Sequence, residues 1–423
     1  SAPTSTTAAS TTTTTTPSIS PTDTHSATFP LMNAANAKRP SVFTFAEIFA
    51  GIGGFRVGLE SVGGECVFAS EINATTAQLY AQNFPNDKAD TLVGDIIGLH
   101  AHELPAFDVL TAGFPCQSFS NRGEKKGLDD DRGQLYRELV RLLRAKQPKA
   151  FIFENVVGLV MMGGGTRSKR DRSGTAGVFT AGVVLTEILE AFRCCGYNVS
   201  WKVINARHFV AQQRERVYIV GVRTDLIHQR DGGSGNDIDG DNNLGDDGAA
   251  NDIDAHADDA ENENQNKECR AAASVSSSSS SSSSHSSSSS SSFFDWTAVI
   301  PSLNWNDGGS GPKIVRDVLE PVGSPAITHA TLTQTQWDKV LRGSDEEDMT
   351  NAIIAKTIVL DGQAPCLTSS YRQVTNFTSR FIHEEANGDR RVLPRFLTAR
   401  ECCRLMGFPE TFIIATLEHN GHD

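Results

Sequence analysis

The chain has 423 residues, of which 38% are hydrophobic and 21% charged, and its formal net charge is −13. The charge is uneven, because residues 227–292 hold 13 acidic and 3 basic side chains and the other 357 residues carry only −3. A near-neutral remainder is compatible with nucleic-acid binding, provided that the binding surface is a local basic patch. The sequence contains no run of 18 apolar residues and no C-x-x-C spacing, so we expect no membrane helix and no metal site.

Two segments lack the apolar content of a folded domain. Residues 1–41 are rich in Ser, Thr, Pro and Ala, and residues 227–292 join an acidic run to a serine tract interrupted by His285. Such segments bury too little apolar surface to offset the entropy of ordering, so we expect both to be disordered. The remaining 316 residues are enough for one large core or two smaller ones.

Strand-like and helix-like segments alternate between residues 42 and 226. Strands are predicted at 42–49, 66–69, 107–112, 150–153, 199–204 and 217–222, and helices at 55–62, 74–83, 133–146 and 182–194. This alternation predicts an α/β fold with a mostly parallel sheet. Residues 293–395 lose the alternation and are predicted to form a smaller, irregular domain, followed by one more helix at 398–406.

The first motif is the glycine-rich turn Phe49–Gly54, which lies between a predicted strand and a predicted helix. Glycines there let a nucleotide-like ligand approach the backbone. Glu71 follows the next strand, 20 residues after Gly51, at the position of a carboxylate that binds ribose hydroxyls. Because Arg56 replaces the last glycine of a dinucleotide fingerprint, the pattern favours a ligand with ribose but no pyrophosphate. A plain tight turn is the alternative.

Three further motifs place reactive side chains at strand ends. Cys116 follows Pro115 at the carboxyl edge of a predicted strand, where α/β sheets bind ligands, so it is a candidate nucleophile. A buried core cysteine is the alternative. Glu154 follows an apolar strand and is a candidate hydrogen-bonding acid of the site. Its alternative role is to cap a helix. Arg214 and Arg216 alternate at a strand entrance and so share one face, where they could instead serve structural ion pairs.

The order and spacing of these motifs resemble those of the cytosine-C5 DNA methyltransferase family. The resemblance runs from Phe45 to Asp225 and resumes from Ala364 to Phe412. It implies a Rossmann-like fold that uses S-adenosylmethionine as cofactor, with residues 42–226 as the catalytic domain and 293–395 as the target-recognition region. Residues 396–423 would then return to the catalytic domain.

The resemblance also implies a role for each residue of the site. Cys116 would add to a flipped-out cytosine, Glu154 would hold N3 and the amine, and Arg216, supported by Arg214, would hold the carbonyl oxygen. The residues implied to bind S-adenosylmethionine are Phe49, Gly51, Ile52, Gly53, Glu71, Ile72, Asp95, Ile96 and Pro115. In that set Glu71 would bind the ribose hydroxyls and Asp95 the adenine amine. The residues implied to contact the nucleic acid are Gln117, Ser120, Arg132 and Thr368.

We therefore expect a monomeric DNA (cytosine-5)-methyltransferase acting on double-stranded DNA, without a metal. The homopolymeric serine and threonine tracts suggest a eukaryote, and hence the nucleus. Two other functions stay open: a tRNA cytosine-C5 methyltransferase of the same fold, and a catalytically impaired, methyltransferase-like nucleic-acid-binding protein. The tRNA branch tends to have Pro-Pro-Cys-Gln, where this chain has Phe114-Pro115-Cys116-Gln117.

Two features depart from the family pattern. The family's last block, of the type Gly-Asn-Ser-Val, is absent from the sequence. The chain is therefore expected to be a truncated form of a longer protein, or a defective one. The acidic and poly-serine insert is also unusual, although it falls where the catalytic and recognition regions join.

Overall fold

The regular elements are those of a strand–helix alternation, seen here in a computed structural model. It describes residues 41–85, 92–115, 135–168, 178–227, 314–341, 355–374, 379–383 and 393–414, all within one compact unit of the chain, residues 37–423. The strands are β1 (Phe43–Ile48), β2 (Gly64–Ser70), β3 (Leu92–Val93), β4 (Val109–Ala112), β5 (Ala150–Val156), β6 (Thr166–Arg167), β7 (Phe179–Thr180), β8 (Tyr197–Asn205) and β9 (Glu215–Arg223). The helices are α1 (Gly54–Ser61), α2 (Ala74–Asn83), α3 (Tyr136–Lys146), α4 (Val157–Met161), α5 (Val183–Arg193), α6 (Pro325–Ala330), α7 (Gln334–Leu341) and α8 (Ala399–Met406).

Seven of these strands form one sheet in the order β3-β2-β1-β4-β5-β9-β8, and β6 pairs with β7 in a separate ribbon. The pairings from β3 to β5 are parallel, whereas β9 runs antiparallel to both of its neighbours. The mostly parallel Rossmann-like sheet predicted from the sequence is thereby confirmed. Because β9 runs against β5, its first residues lie at the edge where the parallel strands end, and Arg216 pairs with Val156.

Several element boundaries differ from the predicted ones. Strand β1 stops at Ile48 because Phe49 adopts a positive φ of 55°, which a strand does not accommodate. Strand β5 continues past the predicted end at residue 153, since β9 pairs with it as far as Val156. The sequence did not predict β6 and β7, whose two residues each are too few to show an alternating pattern.

The main core lies between the sheet and helices α3 and α5. Phe151 and Phe153 of β5 stack with ring centroids 4.4 Å apart, and Phe192 of α5 meets both rings edge-on. Leu139, Leu142 and Leu143 of α3 are buried there. Side chains alternate along a strand, so Glu154 points away from the face that carries the two phenylalanines.

The described part of the second region is less regular. It contains a 3₁₀ helix (Val315–Val318), α6, α7 and isolated bridges around a core that includes Trp337 and Phe381. The same core includes Ala211 and Leu405, so packing continues across the predicted boundaries of the 293–395 region. Residues 1–40 and 228–313, which cover almost all of the two segments expected to be disordered, lie outside the described residues.

Candidate active site

The glycine-rich turn follows β1 at the carboxyl edge of the sheet. Phe49, Gly51 and Gly53 all have positive φ angles, of 55°, 59° and 88°. At Gly53 a Cβ atom would overlap the Phe84 ring, so both the backbone angle and the space require glycine there. Within the turn Gly54 is exposed and Gly51 is half-buried, whereas Gly53, which the sequence assigned to the cofactor, is buried against Phe84.

Glu71 lies beside this turn. Its Oε2 accepts a hydrogen bond from the Gly51 N–H and its Oε1 accepts one from the Asn73 N–H, both at 2.8 Å. The carboxylate is thus fixed by two backbone donors. Each of its oxygens has a further lone pair that can accept a hydroxyl donor.

The other residues assigned to the cofactor differ in exposure. Asp95 is exposed two residues after β3, and its Oδ1 accepts the Ile97 N–H at 2.9 Å. Ile72 is 69% exposed, whereas Ile96 is only 2% exposed and packs in the main core. Phe49, Ile52 and Pro115 are half-buried. The structure thus brings Glu71 and the turn together, but places Ile96 beneath the surface.

A buried polar cluster under the turn was not predicted from the sequence. Glu47 of β1 is 1% exposed; its Oε2 accepts the Tyr80 hydroxyl at 3.2 Å and its Oε1 accepts the Arg56 N–H at 3.4 Å. Arg56 donates to the Tyr80 oxygen at 3.2 Å, and its guanidinium lies 4.1 Å from the centre of the Phe84 ring. Burial raises the pKa of Glu47 to about 8. The sequence signal that could have revealed this cluster is Glu47, a single acidic residue inside an apolar strand.

Glu154 and the two predicted arginines meet at the same edge. Glu154 Oε1 lies 2.9 Å from Arg216 Nε and 3.9 Å from Arg214 Nη2. Its Oε2 lies 3.7 Å from the place that a Cβ of Gly113 would occupy, three residues before Cys116. The expectation that both arginines share one face holds, and they form the ion pairs considered as their alternative role.

Asn155 fixes the turn that leads to Cys116, and sequence reasoning missed it. Its side chain is 2% exposed and its Nδ2 donates to the Phe114 carbonyl at 3.2 Å, while Oδ1 accepts the N–H of Val156 at 2.8 Å. The end of β5 is therefore tied to the end of β4 next to the proposed nucleophile. Four of the predicted site residues lie outside the described residues: Cys116, Gln117, Ser120 and Arg132.

The segment 364–368, which carries the predicted Thr368, runs next to Arg214. The Ala364 N–H donates to the Ala211 carbonyl at 2.9 Å, and Arg214 Nη1 donates to Cys366 Sγ at 3.8 Å. Thr368 is half-buried, with its Oγ1 3.4 Å from Ser370 Oγ. The fold therefore brings this segment of the second region to Arg214 of the first.

Neither a metal site nor a membrane-crossing helix is found in the part of the chain that the structure describes. No three His, Cys, Asp or Glu side chains group there as ligands. None of the helices among those residues has the length and apolar character needed to cross a bilayer.

Comparison of the sequence with known proteins gives matches over most of the chain. A family model of the C-5 cytosine-specific DNA methylases matches residues 43–421. The Type II methyltransferase M.HgiBI of Herpetosiphon aurantiacus is 45% identical over 185 residues, which are 44% of this chain and 38% of that protein. M.NgoBV of Neisseria gonorrhoeae is 42% identical over 184 residues, 42% of this chain and 40% of that protein. The matched region thus spans about two fifths of the length of these curated relatives.

Two solved structures share the fold. The crystal structure of the S. pombe Dnmt2 methyltransferase aligns with a TM-score of 0.54 at 17% identity and covers 89% of this chain and 90% of its own. The Entamoeba histolytica methyltransferase EhMeth aligns with a TM-score of 0.51 at 15% identity and covers 90% of each chain.

Proposed function

Because the chain belongs to the family of C-5 cytosine-specific DNA methylases, we propose that it transfers a methyl group from S-adenosylmethionine to carbon 5 of a cytosine in DNA. The observation that supports this most is the pairing of Glu154 with Arg216 at 2.9 Å, beside the turn that leads to Cys116. An acceptor and a donor held side by side match the polar edge of a cytosine ring. The relatives named above carry bacterial Type II methyltransferase names.

The residues around the glycine-rich turn suit S-adenosylmethionine. A Cβ on Gly51 or Gly54 would meet nothing within 4 Å, so a ligand can approach the backbone there. Glu71 would accept the ribose hydroxyls with its remaining lone pairs, and exposed Asp95 would accept the adenine amine. When bound, the cofactor supplies a methyl group activated on a sulfonium.

In the proposed reaction, the cytosine leaves the helix stack, at an energetic cost of a few kcal/mol. The Cys116 thiolate would form a bond to carbon 6, and the electron pair released toward carbon 5 would form the bond to the methyl group, which leaves the sulfonium as a neutral thioether. Water would then take the proton from carbon 5. The electron pair of that C–H bond would restore the 5,6 double bond as the carbon–sulfur bond breaks, which returns the Cys116 thiolate and releases 5-methylcytosine. Pro115 and the Asn155–Phe114 hydrogen bond orient the backbone in front of Cys116.

Glu154 and Arg216 stabilise the charge that develops on the ring. Arg216 engages Oε1 of Glu154, which leaves Oε2, near Gly113, to accept from the cytosine amine. Arg216 also donates from Nη1 to the Glu215 carbonyl at 2.7 Å, and its remaining guanidinium donors are assigned to the carbonyl oxygen of the base, with Arg214 in support. Donors and acceptors placed in advance at such positions lower the barrier without reorganising during the reaction.

The nucleic-acid partner we propose is double-stranded DNA, bound by a monomer. Gln117, Ser120, Arg132 and Thr368 are proposed to contact it near the target nucleotide. Residues 42–226 and 396–423 would form the catalytic domain and residues 293–395 would recognise the target. The nuclear location expected from the homopolymeric tracts receives no support from the bacterial relatives.

The test is methyl transfer from labelled S-adenosylmethionine to DNA and to tRNA, measured side by side under single-turnover conditions. We expect label in cytosines of the DNA. Label in tRNA alone would replace the proposal by the tRNA alternative. Binding of nucleic acid without transfer to either substrate would indicate the catalytically impaired alternative.

A further inference from the structure

The side-chain amide of Gln212 is buried without a hydrogen-bond partner. The residue is 1% exposed, and neither its Nε2 nor its Oε1 bonds to another group. Gln212 is the one buried side chain of the described residues that has this property. Leaving such a group unpaired costs the free energy of removing its polar atoms from water, so a conformation that pairs it gains stability.

Gln212 lies where the two regions of the chain join. It forms a parallel bridge with Ala364, and the next residue, Gln213, donates its N–H to the Ala364 carbonyl at 2.8 Å. Paired residues of parallel segments place their side chains on one face. The side chain of Gln212 therefore lies on the same face as that of Ala364.

The same pairing continues toward the candidate site. Two residues further along each segment, Arg214 Nη1 contacts Cys366 Sγ at 3.8 Å. Arg214 Nη2 lies 3.9 Å from Glu154 Oε1. The unpaired amide of Gln212 thus lies two residues before Arg214 in the sequence. It also lies next to the segment that carries Thr368.

The chemistry of the amide limits its partner. It offers two N–H donors and one carbonyl acceptor, which a peptide group can match on both sides. Segment 364–368 begins at its bridge with Gln212. Its peptide groups are therefore the backbone partners that we consider for the amide. Nucleic acid cannot reach a side chain that is 1% exposed unless this segment moves.

We propose that Gln212 is a positioning residue whose amide is unpaired in the free protein and pairs with the backbone of segment 364–368 when the target nucleotide enters. The inference rests on the proposed function, because it takes the nucleotide to be received between this segment and Glu154. Nucleotide entry then gains the free energy of pairing the amide, and only such a difference between the two states can shift their equilibrium.

The test compares Gln212→Met, which keeps length and volume but removes both polar atoms, with Gln213→Met, the same change at an exposed neighbour. Without nucleic acid, Gln212→Met should melt higher than wild type by roughly 2–6 °C.

A DNA duplex should raise the melting temperature of Gln212→Met less than it raises that of wild type. Its kcat on DNA should fall about tenfold, which corresponds to losing one hydrogen-bonded contact in the productive state, with KM for S-adenosylmethionine unchanged. Gln213→Met should match wild type in every measurement.

Two results would overturn the inference. A Gln212→Met protein that melts at or below the wild-type temperature, or does not fold, would show that the amide is already paired in the free protein. A higher melting temperature with unchanged kcat and unchanged stabilisation by DNA would show that catalysis does not use the amide. Wild-type protein that methylates neither DNA nor tRNA would contradict the proposed function instead, while the melting comparison without nucleic acid would still judge Gln212.

Discussion

At the scale of single residues, the two oxygens of Glu154 have different surroundings. Oε1 faces Arg216 and Arg214, whereas Oε2 faces Gly113 and the turn toward Cys116. The ion pair fixes the carboxylate in one orientation before substrate arrives, so that binding need not order it. The same negative charge contributes, after burial, to a raised pKa of Tyr218, the residue that pairs with Glu154 on β9.

Replacing Glu154 by Gln should slow methyl transfer by about 10²–10³-fold, as expected for the loss of one preorganised electrostatic group. The amide has nearly the same shape but no charge to hold Arg216. The single-turnover rate on a DNA duplex measures the effect. The matched control is Glu190→Gln, which removes a carboxylate from an exposed ion pair on α5 and should leave the rate unchanged. A loss of less than threefold for Glu154→Gln would contradict the assigned role.

At the scale of elements, the turn between β1 and α1 is held from two sides. Glu71 bonds to the backbone of Gly51, and Glu47 bonds to the N–H of Arg56 inside α1. The ring of Phe84, at the end of α2, fills the space next to Gly53. The shape of the turn therefore depends on contacts with β1, β2 and α2 together.

Gly53→Ala should destabilise the protein by about 2–3 kcal/mol, because the new methyl group overlaps the Phe84 ring and the backbone keeps a positive φ. Cofactor affinity should fall with it. Gly58→Ala is the matched control, since this exposed position in α1 has nothing within 4 Å of its Cβ, and should stabilise by about 0.5–1 kcal/mol. Urea unfolding measures both variants. Equal stability of the two would show that the turn is not constrained as described.

The buried Glu47 predicts a dependence of stability on pH. Burial raises its pKa from 4.5 to about 8, so between these values the folded protein holds a proton that the unfolded chain has released. This contribution to stability is fully present below pH 4.5 and is lost as the pH rises through 8. Unfolding free energies measured from pH 5 to 8.5 should fall less steeply in Glu47→Gln than in wild type. Identical slopes in the two proteins would refute the burial-driven shift.

The elements that the sequence predicted well are those with long periodic patterns. Helices α3 and α5 show apolar residues at helical spacing over three turns, and both formed within three residues of the expected bounds. The reversal of β9 was missed, although the nine residues between β8 and β9 are fewer than a parallel crossover needs. That reversal is what brings Arg216 to Glu154.

The candidate site was predictable where one residue carries the signal. Glu71 and Glu154 stand alone after apolar strands, and both lie at the expected edge. The roles of Asn155 and Glu47 were missed because their hydrogen-bond partners are distant in the sequence. The role of Gln212 was missed because it depends on the absence of a hydrogen-bond partner, which no local pattern encodes.

At the scale of the whole molecule, charge is separated along the sequence. Residues 227–292 carry a net charge of −10, against −3 for the rest of the chain. The proposed DNA-binding surface therefore shares the molecule with a segment that repels DNA over about 10 Å at 0.1 M salt. Any repulsion between them should be strongest at low ionic strength.

Deleting residues 231–292 should change the stability of the folded protein by no more than about 1 kcal/mol, because the entropy of closing a loop depends weakly on its length. Methyl transfer should be nearly unchanged, and DNA should bind more tightly at low salt. A chain of full length with the acidic residues of the segment replaced by Asn and Gln should show the same gain, which separates charge from length. A deletion protein that folds but binds DNA markedly more weakly would contradict this.

The central claim is that Cys116 attacks the cytosine ring while Glu154 and Arg216 hold it. Its most direct measurement is covalent trapping on DNA that contains 5-fluorocytosine, where fluorine replaces the proton that must leave. We expect wild-type protein with S-adenosylmethionine to form a denaturant-resistant adduct with this DNA, and Cys116→Ala to form none while still binding the cofactor. An adduct formed by Cys116→Ala, or none formed by a wild-type protein that methylates ordinary DNA, would contradict it.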